Sequence, residues 1–238
     1  MTKNSVRKQR IRHYDALVCF IDALEKQYGL NIVSIIAMGS WGTEEATKEA
    51  DVDLEVIFDS KFFKPELTEE LHSVLKKLNL ENKIEAWALD EKKVTKGTYV
   101  PDNYPLNVFN HHLKSVGLVL RGKNLLKGIT ITKIPEHEIK ELFSIILRDF
   151  QQGGTAKAVL KGAFAYVLKQ NGGLPIEIKN HLYYRGICEA AQKYLDEKHF
   201  AIVYKALRAK RGLGVIDKAE AMRFLKFIEK ELKSSSAT

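Results

Sequence analysis

The sequence predicts an α+β chain, in which a small mixed sheet flanked by helices is followed by an α-helical bundle. Three observations carry that prediction. Short β-branched, apolar stretches separated by turn residues recur up to residue 122. From residue 137 onward the pattern changes to longer stretches with apolar residues at helical spacing. Between the two lies a joint at 130–136 marked by Pro135, which divides the chain into a domain over 1–133 and a helical domain over 134–238.

The elements follow in order. Over 6–28, Ile11, Tyr14, Leu17, Val18, Ile21 and Leu24 recur at helical spacing, and Gly29 supplies the stop. Residues 32–38 form an apolar, β-branched run that breaks at Gly39-Ser40, and a second run follows at 51–58. Residues 43–50 are too polar for a strand and predict a loop or one helical turn. A helix is expected over 65–78, with Pro65 in its first turn and Leu67, Leu71, Val74, Leu75 and Leu78 on one stripe. Residues 83–89 predict a third strand and 116–122 a fourth, ended by Gly122. A turn-rich loop falls at 98–105, and His111-His112 fall on a helix. The second part predicts helices over 137–151, 156–170, 175–198, 201–210 and 218–233, and a frayed tail at 234–238. Short joints between five helices suggest a bundle.

Composition excludes several classes. Apolar content of 45% and charged content of 29% are those of an ordinary globular protein. No apolar run is long enough to span a bilayer, and the first residues lack a secretory signal core, so no membrane partner and a cytoplasmic location are expected. Cys19 and Cys188, both in apolar helical patterns, read as reduced core cysteines. The net charge of +8 favours anionic partners such as nucleotides or nucleic acid, although the lysines are spread along helix faces without a basic block. A polycationic acceptor would therefore need a locally acidic pocket.

The chemistry concentrates at 38–58. Glycine at the end of the first strand lets the backbone approach a ligand, and the amides that follow can point at phosphate oxygens. Asp51 and Asp53 stand two apart on a strand, so both point to one face while Val52 points to the other. Two such carboxylates repel unless a cation lies between them, and hard oxygen ligands suit Mg²⁺ holding substrate phosphates. Glu85, among apolar neighbours on the third strand, reaches the same face if that strand lies beside the second. Otherwise it is an exposed edge glutamate, and Glu81 and Asp90 are the alternatives.

Gly39-Ser40-Trp41-Gly42, with Asp51-Val52-Asp53-Leu54 beginning twelve positions on from Gly39, resembles the signature of the DNA polymerase β-like nucleotidyltransferase superfamily. Its Gly-Ser-Trp-Gly is similar to the Gly-Ser-Leu-Gly of kanamycin-type aminoglycoside nucleotidyltransferases. The resemblance implies that Gly39 and Ser40 cradle a nucleoside triphosphate such as ATP, and that Asp51, Asp53 and Glu85 bind Mg²⁺ or Mn²⁺. It implies transfer of a nucleoside monophosphate to a hydroxyl of an aminoglycoside-type acceptor, with pyrophosphate released. It also implies a homodimer. The base of those enzymes is a glutamate on the first helix of the C-terminal half; Asp149, in Ile145-Ile146-Leu147-Arg148-Asp149-Phe150, stands in a similar place, or simply pairs with a neighbouring cation. Gly153-Gly154 stands where relatives carry a nucleotide-contacting lysine, with Lys157 one turn further on. Arg121 and Lys123 read as surface cations or phosphate contacts. His111-His112 read as surface or substrate-pocket residues, and Tyr183-Tyr184-Arg185 as core or a stacking platform. The alternatives in function are an acceptor that is tRNA or protein, and a non-catalytic nucleotide-binding module.

Overall fold

A computed structural model describes residues 3–42, 51–99, 104–131, 133–177 and 183–234, with the backbone alone at 3–13, 40 and 42. The loop expected at 43–50, the middle of the loop at 98–105 and the end of the tail lie outside the described residues. The chain divides into two compact units, residues 1–99 with 112–130, and residues 100–111 with 131–238.

The first unit contains α1 (Lys3–Tyr28), β1 (Ile32–Ala37), the single turn α2 (Gly39–Gly42), β2 (Val52–Phe58), α3 (Leu67–Lys77), β3 (Ile84–Asp90) and α4 (Glu91–Thr95). The residues of α5 (Leu106–Val116) are shared between the units, and β4 (Leu118–Gly122) follows in the first. The sheet order is β3-β2-β1-β4. β2 and β3 run parallel, joined by α3 as the crossover that parallel strands need; β1 pairs antiparallel with β2 and with β4. Alternation along β2 sends Val52, Leu54, Val56 and Phe58 into a core with Leu17, Phe20 and Leu24 of α1 and Leu67, Leu71 and Val74 of α3. The same alternation leaves Asp53 and Glu55 on the opposite face.

Two expectations need correction here. Cys19 is exposed, because its neighbours Leu17 and Phe20 take the buried stripe of α1, while Cys188 is buried. The fourth strand starts at Leu118, two residues late, because Val116 completes α5 and a side chain at Gly117 would run into the Leu113 carbonyl.

The second unit holds α6 (Glu136–Gln151), α7 (Thr155–Gln170), α8 (Tyr183–Ala191), α9 (Glu197–Lys210) and α10 (Lys218–Lys233). Residues 158–160 and 162–168 of α7 are all buried. A helix apolar on every side must be surrounded, and α7 packs against α6, α8, α9 and α10. A Cβ at Gly162 would come within 2.9 Å of the Leu225 side chain, so the absence of a side chain there sets how closely α7 and α10 cross. Glu138, 6% exposed, caps the start of α5: its Oε2 accepts from the Asn107 and Val108 amides at 2.8 and 3.3 Å, and its Oε1 from the Asn107 side chain at 2.6 Å.

The helix expected over 175–198 is shorter than its pattern. Residues 175–177 are not helical, α8 occupies Tyr183–Ala191, and Glu197 and Lys198 open α9 under an Asp196 N-cap. His111 explains the first of these. It is fully buried, and its Nε2 lies 3.1 Å from the Ile176 carbonyl and 3.2 Å from the Ile176 amide, taking that backbone out of helical bonding. His111 is thus a core residue, not a surface or pocket one, and burial lowers its pKa against a smaller opposing effect of the Ile176 backbone. Tyr183 and Tyr184 are also buried, as core aromatics. Among the described residues, no helix is long and apolar enough to cross a membrane.

Candidate active site

The turn after β1 and the start of β2 are built against each other. Antiparallel pairing sets Ala37 opposite Leu54, and the Met38 amide then donates to the Asp53 carbonyl at 2.8 Å. The next residue must therefore pass directly over the Asp53 side chain. Gly39 does so with φ +58°, and a Cβ on it would collide with Asp53 Oδ2. Both the left-handed backbone and the missing side chain are required here, which is why glycine ends this strand. The backbone then curls into α2, which contains Ser40.

β3 completes the arrangement. The Val52 amide donates to the Lys83 carbonyl at 2.8 Å, and the parallel register that follows sets Asp53 opposite Glu85. Asp51, just before β2, points to the same side. One oxygen from each of Asp51, Asp53 and Glu85 lies within 4.8 Å of the others. Two such charges repel by about 1 kcal/mol even in bulk water, and more in the partly shielded setting of Asp53. Opposed oxygens around one Mg²⁺ stand about 4.2 Å apart, given Mg–O lengths near 2.1 Å. Adjacent oxygens on such an ion stand about 3.0 Å apart, so a modest inward turn of the side chains would let the trio close on one cation, and its all-oxygen donor set suits such an ion. A depression of about 270 Å³ adjoins it, lined by Asp51, His72, Leu75, Glu81, Ile84 and Glu85. That is at the small end of ligand clefts, room for part of a ligand.

Glu55, which the sequence reading passed over, stands on the same strand face as Asp51 and Asp53. Residues 51, 53 and 55 alternate onto one face of β2, and that spacing was the available signal. Glu55 is 8% exposed, and its Oε2 is buried without a hydrogen-bond partner. Burial pushes its carboxyl up to about 8, with the charges of Asp53 and then Glu85 acting in the same direction.

The other candidates are placed as follows. Glu81 is exposed on the rim of the depression. Asp90 caps α4, accepting from the Lys92 amide at 2.8 Å and the Ser60 hydroxyl at 2.6 Å. Arg121 pairs with Glu25, and Lys123 with Glu91 at 3.5 Å, both on the surface of the first unit. Asp149 lies on α6 in the second unit, where Lys161 pairs with it at 3.3 Å. Lys161 stands one turn beyond the exposed Lys157, a partner that the sequence reading did not single out. Burial, helped by the Asp149 charge, pushes the Tyr104 phenol up to about 12.

Residues 19–101 match the family described as nucleotidyltransferase domain. That match covers the stretch that carries Gly39, Asp51, Asp53 and Glu85. Among solved structures, it is similar to a spectinomycin adenyltransferase from Enterococcus faecialis, determined with ATP and spectinomycin. The TM-score is 0.65 over 93% of this chain and 99% of that one, at 13% sequence identity. Among curated proteins, none matches the chain in sequence.

Proposed function

We propose that the chain transfers AMP from ATP to a hydroxyl of a small, aminoglycoside-type acceptor, using a divalent cation, Mg²⁺ or Mn²⁺, at Asp51, Asp53 and Glu85. One observation carries the reading: three carboxylates converge within 4.8 Å beside a glycine turn that only glycine can make. The fold likeness to an adenyltransferase solved with ATP and spectinomycin supports the choice of nucleotide and acceptor.

In this reading the chain's own groups position the reactants. Gly39 brings the α2 backbone close to the triphosphate, and Ser40 shares in holding it. Asp51, Asp53 and Glu85 would hold the cation, which when bound supplies positive charge against the α-phosphate and the departing pyrophosphate. The acceptor oxygen forms a bond to the α-phosphorus, the bond from that phosphorus to the oxygen leading to the β-phosphate breaks, and pyrophosphate leaves. The acceptor's proton goes to a carboxylate, assigned to Asp149. Convergent carboxylates also provide the locally acidic surface that a cationic acceptor needs on a chain of net charge +8. We further assign the working form as a homodimer in the cytoplasm. The net charge favours one second reading, in which the acceptor is tRNA.

The test is incubation with α-labelled nucleoside triphosphates and a panel of aminoglycosides, tRNA and the protein alone, following the label and the released pyrophosphate. Labelled adenylate should appear on a small acceptor, with pyrophosphate in equal amount, and an Asp53→Asn variant should lose at least about 10²-fold in rate, as loss of a charge-stabilising group does. Label on tRNA would select the second reading. Pyrophosphate release that is the same in Asp51→Asn and Asp53→Asn would overturn the assignment and favour a non-catalytic nucleotide-binding module.

A further inference from the structure

Glu55 occupies a place in the sheet that the described residues around it do nothing to accommodate. Its register neighbours are Ile36 on β1 and Trp87 on β3. Neither offers a charge to pair with it. The carboxyl is more than nine-tenths buried, and Oε2 has no donor among the described residues. Leaving a buried polar group unsatisfied costs on the order of 1–3 kcal/mol, and more for a charged one. Asp53, two residues before it on the same strand, and Glu85, opposite Asp53 on β3, bring further carboxylates to this face. A glutamate kept for the sake of the fold would face a lysine, an arginine or backbone amides, as Glu138 does in the second unit. The open oxygen of Glu55 instead lies on the strand face that carries Asp51 and Asp53.

We infer that Glu55 is a fourth carboxyl of the divalent-cation site, its open Oε2 contributing to the hold on an ion bound at Asp51, Asp53 and Glu85. The inference rests on the cation reading of those three residues. A divalent cation answers both features: it attracts the buried oxygen, and it offsets the repulsion among the carboxylates gathered on this face. Cation affinity in oxygen sites rises with the number of charged ligands, so the fourth group sets how tightly the ion is held before any nucleotide arrives.

The experiment is titration of the full chain with Mn²⁺ alone, without nucleotide, read by electron paramagnetic resonance and by calorimetry. Wild type is compared with Glu55→Gln, Glu55→Leu and Asp53→Asn, each also melted in EDTA and in excess Mn²⁺. Glu55→Gln is expected to weaken Mn²⁺ binding about tenfold or more, the effect typical of losing a group that supports a metal site. In EDTA its melting temperature should equal or exceed that of wild type, because an unpaired buried carboxyl has been removed. The rise in melting temperature on adding Mn²⁺ should shrink. Should Glu55→Gln not fold, Glu55→Leu, matched to the apolar neighbours of the strand, carries the same expectation. Mn²⁺ binding by Glu55→Gln within about twofold of wild type, with Asp53→Asn impaired, would overturn the inference and leave the three-carboxylate reading standing. A wild-type chain that takes up no Mn²⁺ would overturn both. A melting temperature in EDTA well below that of wild type, with Mn²⁺ affinity kept, would make Glu55 a structural residue and also overturn the inference.

Discussion

Gly39 is where backbone geometry and chemistry meet in a single residue. Its φ of +58° costs an L-residue about 1–2 kcal/mol, and a methyl group there would displace Asp53 Oδ2. Gly39→Ala should therefore lower stability by about that amount while reducing turnover by about 10²-fold, because a misplacement near 1 Å in a reacting constellation has that effect. Urea denaturation and steady-state rates on the same preparation would separate the two; a variant with full activity would remove the Gly39–Asp53 contact from the machinery. Asp90 shows the opposite case, a carboxylate of the same unit with a purely structural task. Burial alone would raise its pKa, but the Ser60 hydroxyl and the Lys93 and Lys92 amides outweigh that and hold it below the usual aspartate range. A depressed carboxylate adds stability that is complete above its unfolded pKa, near 3.9, and that disappears as pH falls through the lower folded value. Asp90→Asn, which still caps, should accordingly be less stable than wild type at pH 7 and should converge on it below about pH 3. A stability difference that stayed constant from pH 7 down to pH 2 would show that the charge of Asp90 is not what matters.

Elements are legible in the sequence when one periodicity decides them, and less so when a distant partner does. The N-terminal start of α5 depends on Glu138, thirty-one residues beyond Asn107 and buried beneath it. Glu138→Leu should cost about 3 kcal/mol, since it leaves the amides of Asn107 and Val108 without acceptors in an apolar setting, and the shift should appear in the denaturant midpoint. A shift under about 0.5 kcal/mol would mean that solvent replaces the cap. Nothing in the residues around either end announces that pairing. The strands β1, β2 and β3 were readable because β-branched runs and strict alternation need no partner to be recognised, and with them came Asp51, Asp53 and the face they share. Glu55 obeyed the same alternation, yet a lone glutamate in a strand reads as solvent-facing; only the register against Ile36 and Trp87 shows it buried. The non-helical stretch ahead of α8 escaped for a related reason. The residues from Pro175 onward satisfy a helical pattern, but the Ile176 backbone is engaged by His111, sixty-five positions earlier. For Asp149 the sequence left a base and an ion-paired side chain equally open. The Lys161 contact is a long-range fact of the bundle, carried by spacing across two helices.

At the scale of the whole molecule, a net charge of +8 coexists with a site made of carboxylates. The two signs bear on different partners. The general positive field attracts phosphate-rich molecules, whereas the convergent acids of the first unit attract cations and repel phosphate unless an ion intervenes. The choice of acceptor can therefore be read from salt dependence. RNA held by 6–10 phosphate contacts would lose about 10³- to 10⁵-fold in affinity between 50 and 200 mM salt, because each neutralised phosphate releases condensed counterions. A small acceptor seated at a few fixed groups releases far fewer. With transfer to a small acceptor as the working reading, kcat/KM for that acceptor, measured at saturating ATP and Mg²⁺, should change by less than about tenfold over the same range, the tenfold marking roughly one to two released ions. A steep fall matching the RNA figure, reproduced in direct tRNA binding and weakened by removing surface lysines without any change in Mn²⁺ affinity, would transfer the acceptor assignment to nucleic acid and leave the cation site untouched.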